Sequence, residues 1–310
     1  MENIKIHFLN TIWSDAILLE KNNHFAFIDT GSLFYYPMVK KYLNDLNIKE
    51  IDFILLTHFH NDHYGNVQNI VEDFNVGKLY MKHYYGLDGT TSSGFASNDE
   101  YIENEFKNYN SIISSCKNNN TKIIFIDDLK KEDLEIDFEK QIIEVYDIKN
   151  TLYELYSNPR SMFYNQKRFN ENFNCVGVFL KVNNNNIFLG ADVTCSTTDI
   201  DELKDLSIKM IKKIYEKHNI NHIDLYKSCH HGGGSTNTLD FCALTKPSYA
   251  VITNTNRWLD NYPTFENLRK ANKDVIILQT DFHKFIFNID TNISYETIDE
   301  ESLFITLKKD

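Results

Sequence analysis

The chain is predicted to fold as a mixed α/β protein in which layers of sheet are covered by helices. Three observations carry this. Short apolar strand candidates and amphipathic helix candidates alternate along the whole sequence, and no internal repeat at a solenoid period interrupts them. The 310 residues, 42% hydrophobic and 25% charged, suffice for a large core and exclude collagen, coiled coil and wholesale disorder. Finally, histidine-rich polar clusters follow directly on apolar strands, where such sheets carry their sites.

In chain order, 4–8, 15–20 and 24–28 are short, apolar and β-compatible, with turn residues at Asn22-Asn23 and Gly31. They predict an antiparallel meander. Met38, Val39, Tyr42, Leu43 and Leu46 recur at helical spacing over 36–46, and the apolar run 52–56 then predicts a buried strand ending in polar residues. Val67, Ile70, Val71 and Phe74 predict a helix, and 78–81 a strand. The stretch 84–172 is irregular: a Gly/Ser/Thr loop, a helix over 99–116 and charged strand-like pieces to Tyr146. It reads as an insertion within one domain spanning 1–310. Segments 175–182 and 187–189, joined by four asparagines, predict a hairpin. A helix over 200–217 and a strand at 223–226 lead into the polar run 228–238. Strand (249–253), helix (265–271) and two strands (275–278, 285–289) complete the reading.

Acidic residues outnumber basic ones, 44 against 32, for a formal net charge of -12, and no block gathers Lys and Arg with aromatics. Sequence-general nucleic-acid binding is therefore disfavoured. No apolar run approaches the roughly 20 residues of a membrane helix, and the N-terminus lacks the layout of a signal peptide, so a cytoplasmic protein is expected. Cys116, Cys175, Cys195, Cys229 and Cys242 form an odd set without CxxC spacing, which predicts thiols and neither disulfides nor a cysteine–zinc knuckle.

The chemistry concentrates in Thr57-His58-Phe59-His60-Asn61-Asp62-His63-Tyr64-Gly65, after the 52–56 strand. An HxHxDH order arises here by chance with a probability on the order of one in a thousand. Alternate residues on extended backbone aim His58 and His60 to one side, while Asp62 and His63 curl toward a second point. Imidazoles and a carboxylate suit zinc, iron or manganese, and ligand type does not choose among them. Asp192 closes the apolar run Ile187-Phe188-Leu189 after Gly190-Ala191, where a carboxylate is placed to bridge two cations. His230 and His231 end another strand and precede Gly232-Gly233-Gly234, whose amides suit either a phosphate cradle, with Ser235 and Thr236, or a flexible loop.

This order resembles the metallo-β-lactamase superfamily, metal-dependent hydrolases built as a four-layer αββα sandwich, with Asp29 similar to its first, structural Asp motif. Within it the sequence is most similar to the hydrolase domain attached to bacterial competence DNA-uptake channels. The similarity rests on Asn172-Phe173-Asn174-Cys175, Gly190-Ala191-Asp192, His230-His231-Gly232-Gly233, Asn261-Tyr262-Pro263 and Gln279-Thr280-Asp281. Two departures stand out. The third His expected before Cys175 is replaced by Asn172 and Asn174, and a late His-Pro appears as Tyr262-Pro263. The first metal site is thus short of a nitrogen, to be made up by an Asn carbonyl or water.

The resemblance implies a hydrolase with two divalent metals, zinc first, manganese or iron as alternatives. His58 and His60 would hold the first metal, with Asp192 and a weak fourth ligand; Asp62, His63 and His230 the second, with Asp192 shared. Two cations roughly 3.5–4 Å apart bring a bridging water to hydroxide near neutral pH. Asp62 would orient it, while His231, a tyrosine or water is left as the leaving-group acid. Of His230 and His231, the first is favoured as ligand, although the order is open. His7, His24, His83, His218 and His222 read as surface or satisfied core histidines; His283 is unassigned; Tyr84, Tyr85 and Trp258 line a pocket or pack the core. The expected substrate is a phosphodiester or other small ester, since the net charge opposes a long polyanion. Two other classes stay open: a mononuclear iron enzyme of sulfur redox chemistry, and a non-catalytic sensor or interaction module retaining the fold.

Overall fold

β-Branched and aromatic residues at alternate or continuous apolar positions make fifteen strands among the described residues, and helical apolar spacing makes seven helices. The computed structural model describes residues 3–86, 98–129, 133–147, 171–194, 205–234, 236–254, 263–281 and 283–299. β1 (Ile4–Phe8), β2 (Ala16–Lys21) and β3 (His24–Thr30) form the expected antiparallel meander. From β3 onward the direction becomes parallel through β4 (Glu50–Leu55), β5 (Asn75–Met81) and β6 (Lys122–Phe125). β14 (His283–Ile289) and β15 (Ile293–Asp299) close the other edge, giving the order β15-β14-β1-β2-β3-β4-β5-β6.

The second sheet repeats the plan. β7 (Asp133–Phe138), β8 (Gln141–Asp147), β9 (Val176–Val182) and β10 (Asn185–Leu189) run antiparallel, then β11 (Leu225–Lys227), β12 (Tyr249–Ile252) and β13 (Ile276–Gln279) join in parallel. The β9–β10 pair is the hairpin that the four asparagines predict. The two sheets pack face to face through Phe8, Ile28, Leu55, Val178, Leu189 and Phe287.

Helices cover both outer faces. α1 (Tyr36–Asp45), the single-turn α2 (Asn61–Tyr64), α3 (Val67–Asp73) and α4 (Asn98–Asn118) lie on the first sheet. α5 (Leu206–His218), α6 (Leu239–Thr245) and α7 (Thr264–Ala271) lie on the second. The predicted αββα sandwich is the observed architecture.

The stretch read as an insertion is more than that. Residues 98–147 supply α4, which packs on α3, the edge strand β6, and β7 and β8, which complete the second sheet. The edge strands β6 and β7 have charged or partly exposed faces, which blurs the apolar alternation by which central strands are recognised. The final strand β15, exposed along most of its length, escaped the sequence reading for the same reason.

Four free thiols (Cys116, Cys175, Cys229, Cys242) are buried, and Cys195 lies outside the described residues. No described helix is long and apolar enough to cross a membrane.

Candidate metal centre

The site forms where the parallel strands of both sheets end. β3 delivers Asp29, β4 leads into His58 and His60, α2 carries Asp62 and His63, β10 ends before Asp192, and β11 before His230 and His231. Backbone bonds seam the two sheets here: Val176 N–H donates to the Thr57 carbonyl at 3.1 Å, and Asp15 N–H to the Asp62 carbonyl at 3.1 Å. The glycine after the motif is dictated by space, because a Cβ at Gly65 would lie 2.5 Å from both the Asn61 carbonyl and the Leu33 amide. Only a residue without Cβ lets the α2 turn press against that loop.

Asp192, buried and central, divides its two oxygens. Oδ1 lies 3.4 Å from His63 Nε2 and 3.6 Å from His231 Nε2. Oδ2 lies 3.9 Å from His58 Nε2 and 3.7 Å from His230 Nε2. His58 Nε2 is 3.0 Å from His60 Nδ1, and His231 Nε2 is 3.0 Å from Asp62 Oδ2. Asp62, His63, Asp192 and His231 thereby gather ligand atoms within 4.8 Å of one another, as do His58, His60 and Asp192.

The placement of the histidine pair differs from the sequence expectation. His231 is the member that points inward, with a 5% exposed side chain; His230, 44% exposed, sits at the rim with Nε2 3.4 Å from the Asn172 amide. Both have left-handed backbone, φ 48° and 49°, as do Ala191 (42°) and Asp29 (55°). Such non-glycine conformations cost of order 1–3 kcal/mol each and gather where a site is over-determined by its surroundings. Two adjacent left-handed residues swing the second imidazole inward, which letter order does not reveal.

Buried carboxylates back the inner imidazoles. Asp29 accepts from His63 Nδ1 at 2.7 Å and from the Thr57 amide and hydroxyl at 2.8 and 2.7 Å, the structural role expected of it. Asp15, which sequence reasoning missed, lies 3.2 Å from His231 Nδ1, accepts from the Thr253 hydroxyl at 2.6 Å and pairs with the buried Lys227. Nothing local in Ser14-Asp15-Ala16 signals this, since its partners are more than 200 residues away.

The electrostatics follow from crowding. Burial alone would lift Asp192, but His231, His63 and His230 hold it well below the usual carboxylate range, and Asp62 is lowered similarly by His63 and His231. Burial opposes protonation of His63, yet Asp192, Asp29 and Asp62 raise it well above an ordinary imidazole; His231, against the same burial, is raised to about 9 by Asp192 and Asp15. Burial, reinforced by His63 and His60, pushes His58 well down, and burial likewise lowers His230. Asp29 is pushed up by burial.

The residues present fit divalent cations on two counts. His63 Nε2 and Asp192 Oδ1 are buried and make no hydrogen bond although they face each other. Four carboxylates (Asp15, Asp29, Asp62, Asp192) surround these imidazoles, and Lys227 is the one ammonium paired into them among the described residues. Buried negative charge of that density calls for cations.

The other singled-out residues lie elsewhere. His83 stacks on Phe125 and faces Asp127, His218 pairs with Glu144, His222 with Asp224, His24 with Asp52 and Glu139, and His283 with Asp299; His7 is buried against Tyr42. Tyr84 packs in the core on Phe59, and Tyr85 donates to Asp127. The amides of Gly233, Thr236 and Asn237 donate to carbonyls within their own turn. Ser235, Trp258, Asn261 and Tyr262 lie outside the described residues.

Residues 14–151 match the family model of the Metallo-beta-lactamase superfamily. No curated protein matches the sequence. Among solved structures, the metallo-beta-lactamase fold protein YhfI from Bacillus subtilis is 12% identical over 93% of this chain and 100% of that one, with a TM-score of 0.49. A diphosphatase of the PhnP family is 11% identical over 94% and 99%, with a TM-score of 0.47. A metallo-beta-lactamase described as putative from Thermotoga maritima is 20% identical over 65% and 75%, with a TM-score of 0.35. The family-model match covers residues 14–151, the part of the chain that carries β2 to β5, His58, His60, Asp62 and His63.

Proposed function

We propose that the chain is a metal-dependent hydrolase acting on a phosphodiester or other small ester. The division of Asp192 between two imidazole sets carries the reading, because a carboxylate so placed serves two cations and a single ion leaves one set idle. Asp62, His63, Asp192 and His231 would hold one cation; His58, His60 and Asp192, with the Asn172 edge, the other. When bound, two divalent cations, zinc foremost, supply Lewis acidity to the scissile group and acidity to an attacking water.

The protein's own groups do the rest. The Asp62 side chain, 28% exposed, is the carboxylate at the mouth and orients the attacking water through a hydrogen bond. His230 at the rim stands where a leaving group departs and is placed to exchange its proton. Asp29 keeps His63 oriented from behind. Lys82 and Lys227 are turned inward onto Asp147 and Asp15, so neither meets an anionic substrate, and the overall charge of -12 disfavours a long polyanion. This favours a compact substrate over nucleic acid.

The test is a panel of chromogenic phosphodiester, phosphomonoester, thioester and lactone substrates with zinc or manganese. Wild-type protein should turn over a phosphodiester or small ester, and Asp62→Asn and His60→Ala should lose at least about 100-fold. Wild-type protein that binds cations yet hydrolyses no member of the panel overturns the proposal.

A further inference from the structure

Asp15 is wholly buried at the start of β2, on the opposite sheet from the strands whose ends it touches. Its Oδ1 is 3.2 Å from His231 Nδ1 and accepts from the Thr253 hydroxyl at 2.6 Å; its Oδ2 meets Lys227 Nζ, which also donates to the Ala191 carbonyl at 3.1 Å. Thr253 Oγ1 is itself 3.0 Å from His231 Nδ1. Proton accounting then leaves one arrangement. The Thr253 hydroxyl proton is committed to Asp15, so both oxygens facing Nδ1 are acceptors and Nδ1 must carry the proton. Nε2 faces the Asp62 and Asp192 carboxylates, the position where a cation would take the place of its proton.

We propose that Asp15, locked by Lys227 and Thr253, is a positioning residue that fixes the tautomer and aim of His231 as a cation ligand, the counterpart of Asp29 behind His63. The inference rests on the metal-dependent reading above. It accounts for a buried lysine that the hydrolytic chemistry does not use. Lys227 Nζ donates both to Asp15 Oδ2 and to the Ala191 carbonyl, which ties the carboxylate to the strand end that carries His231.

The test is a zinc titration against a competing chelator on wild-type protein and Asp15→Asn, with long-range ¹H–¹⁵N correlation spectra of the histidines in the zinc-loaded wild type. Expected is a 10–100-fold loss of affinity at one of two zinc positions in Asp15→Asn, the other holding within about twofold. The wild-type spectrum should show His231 protonated at Nδ1 and zinc-shifted at Nε2, a readout that stands if the variant fails to fold. Two zinc ions bound by Asp15→Asn with wild-type affinity, or His231 protonated at Nε2, overturn the role of Asp15 and leave the hydrolase reading intact. Wild-type protein that takes up no zinc, manganese or iron overturns both.

Discussion

Each residue of the centre has a separable share. Asp192→Asn keeps the shape and removes the charge that both imidazole sets face; metal content after native purification should fall to near zero, with activity down at least about 100-fold. Asn172→His should add an imidazole at the edge of the His58–His60 side, seen as slower loss of one cation on dialysis. Away from the site, Glu20 lies 3.1 Å from His7 Nε2 and 2.8 Å from Lys5. The His7 hydrogen bond, against burial and with help from Lys5, lowers its carboxyl from 4.5 to about 2. A depressed folded value means its stabilisation is complete above pH 4.5 and lost as pH falls toward 2. Denaturation midpoints against pH should flatten in that window for Glu20→Gln, and an unchanged acid limb would refute the assignment.

At the scale of elements, the centre depends on how closely loops approach. Gly65 ends the single turn α2, and a Cβ there meets backbone on three sides: the Asn61 carbonyl, the Leu33 amide and, at 2.8 Å, the Gly31 carbonyl. Backbone does not swing aside as a flexible side chain does. Gly65→Ala should therefore cost about 1–3 kcal/mol and lower metal content together with thermal stability, because the displaced turn carries Asp62 and His63. Calorimetry beside metal analysis checks the two effects; a variant with wild-type values for both would show that the loop yields.

For the whole molecule, cations at the proposed centre would be structural as well as chemical. Asp192 and His231 belong to the second sheet and His58 and His63 to the first, so cations held there would tie the two halves of the sandwich. Free zinc at 100 times its dissociation constant should stabilise the fold by about 2.7 kcal/mol, and chelation should lower the melting temperature correspondingly. Asp192→Asn should melt at one temperature with or without chelator. A wild type insensitive to chelation in the scan would contradict this.

The sequence alone determined what adjacency in the chain can encode. Apolar period distinguishes strand from helix, so the central elements and the β9–β10 hairpin were legible, and His58, His60, Asp62 and His63 announce themselves because four donors fit within six residues. The edge strands β6, β7 and β15 were blurred by their exposed faces. Which of His230 and His231 turns inward was decided by two left-handed backbone angles, and those are set by packing around the turn rather than by its letters. Asp15, Lys227 and Thr253 were silent in the sequence. Their meaning lies in contacts across more than 200 residues, made only when one sheet closes over the other and excludes water from a charge cluster that no local pattern requires.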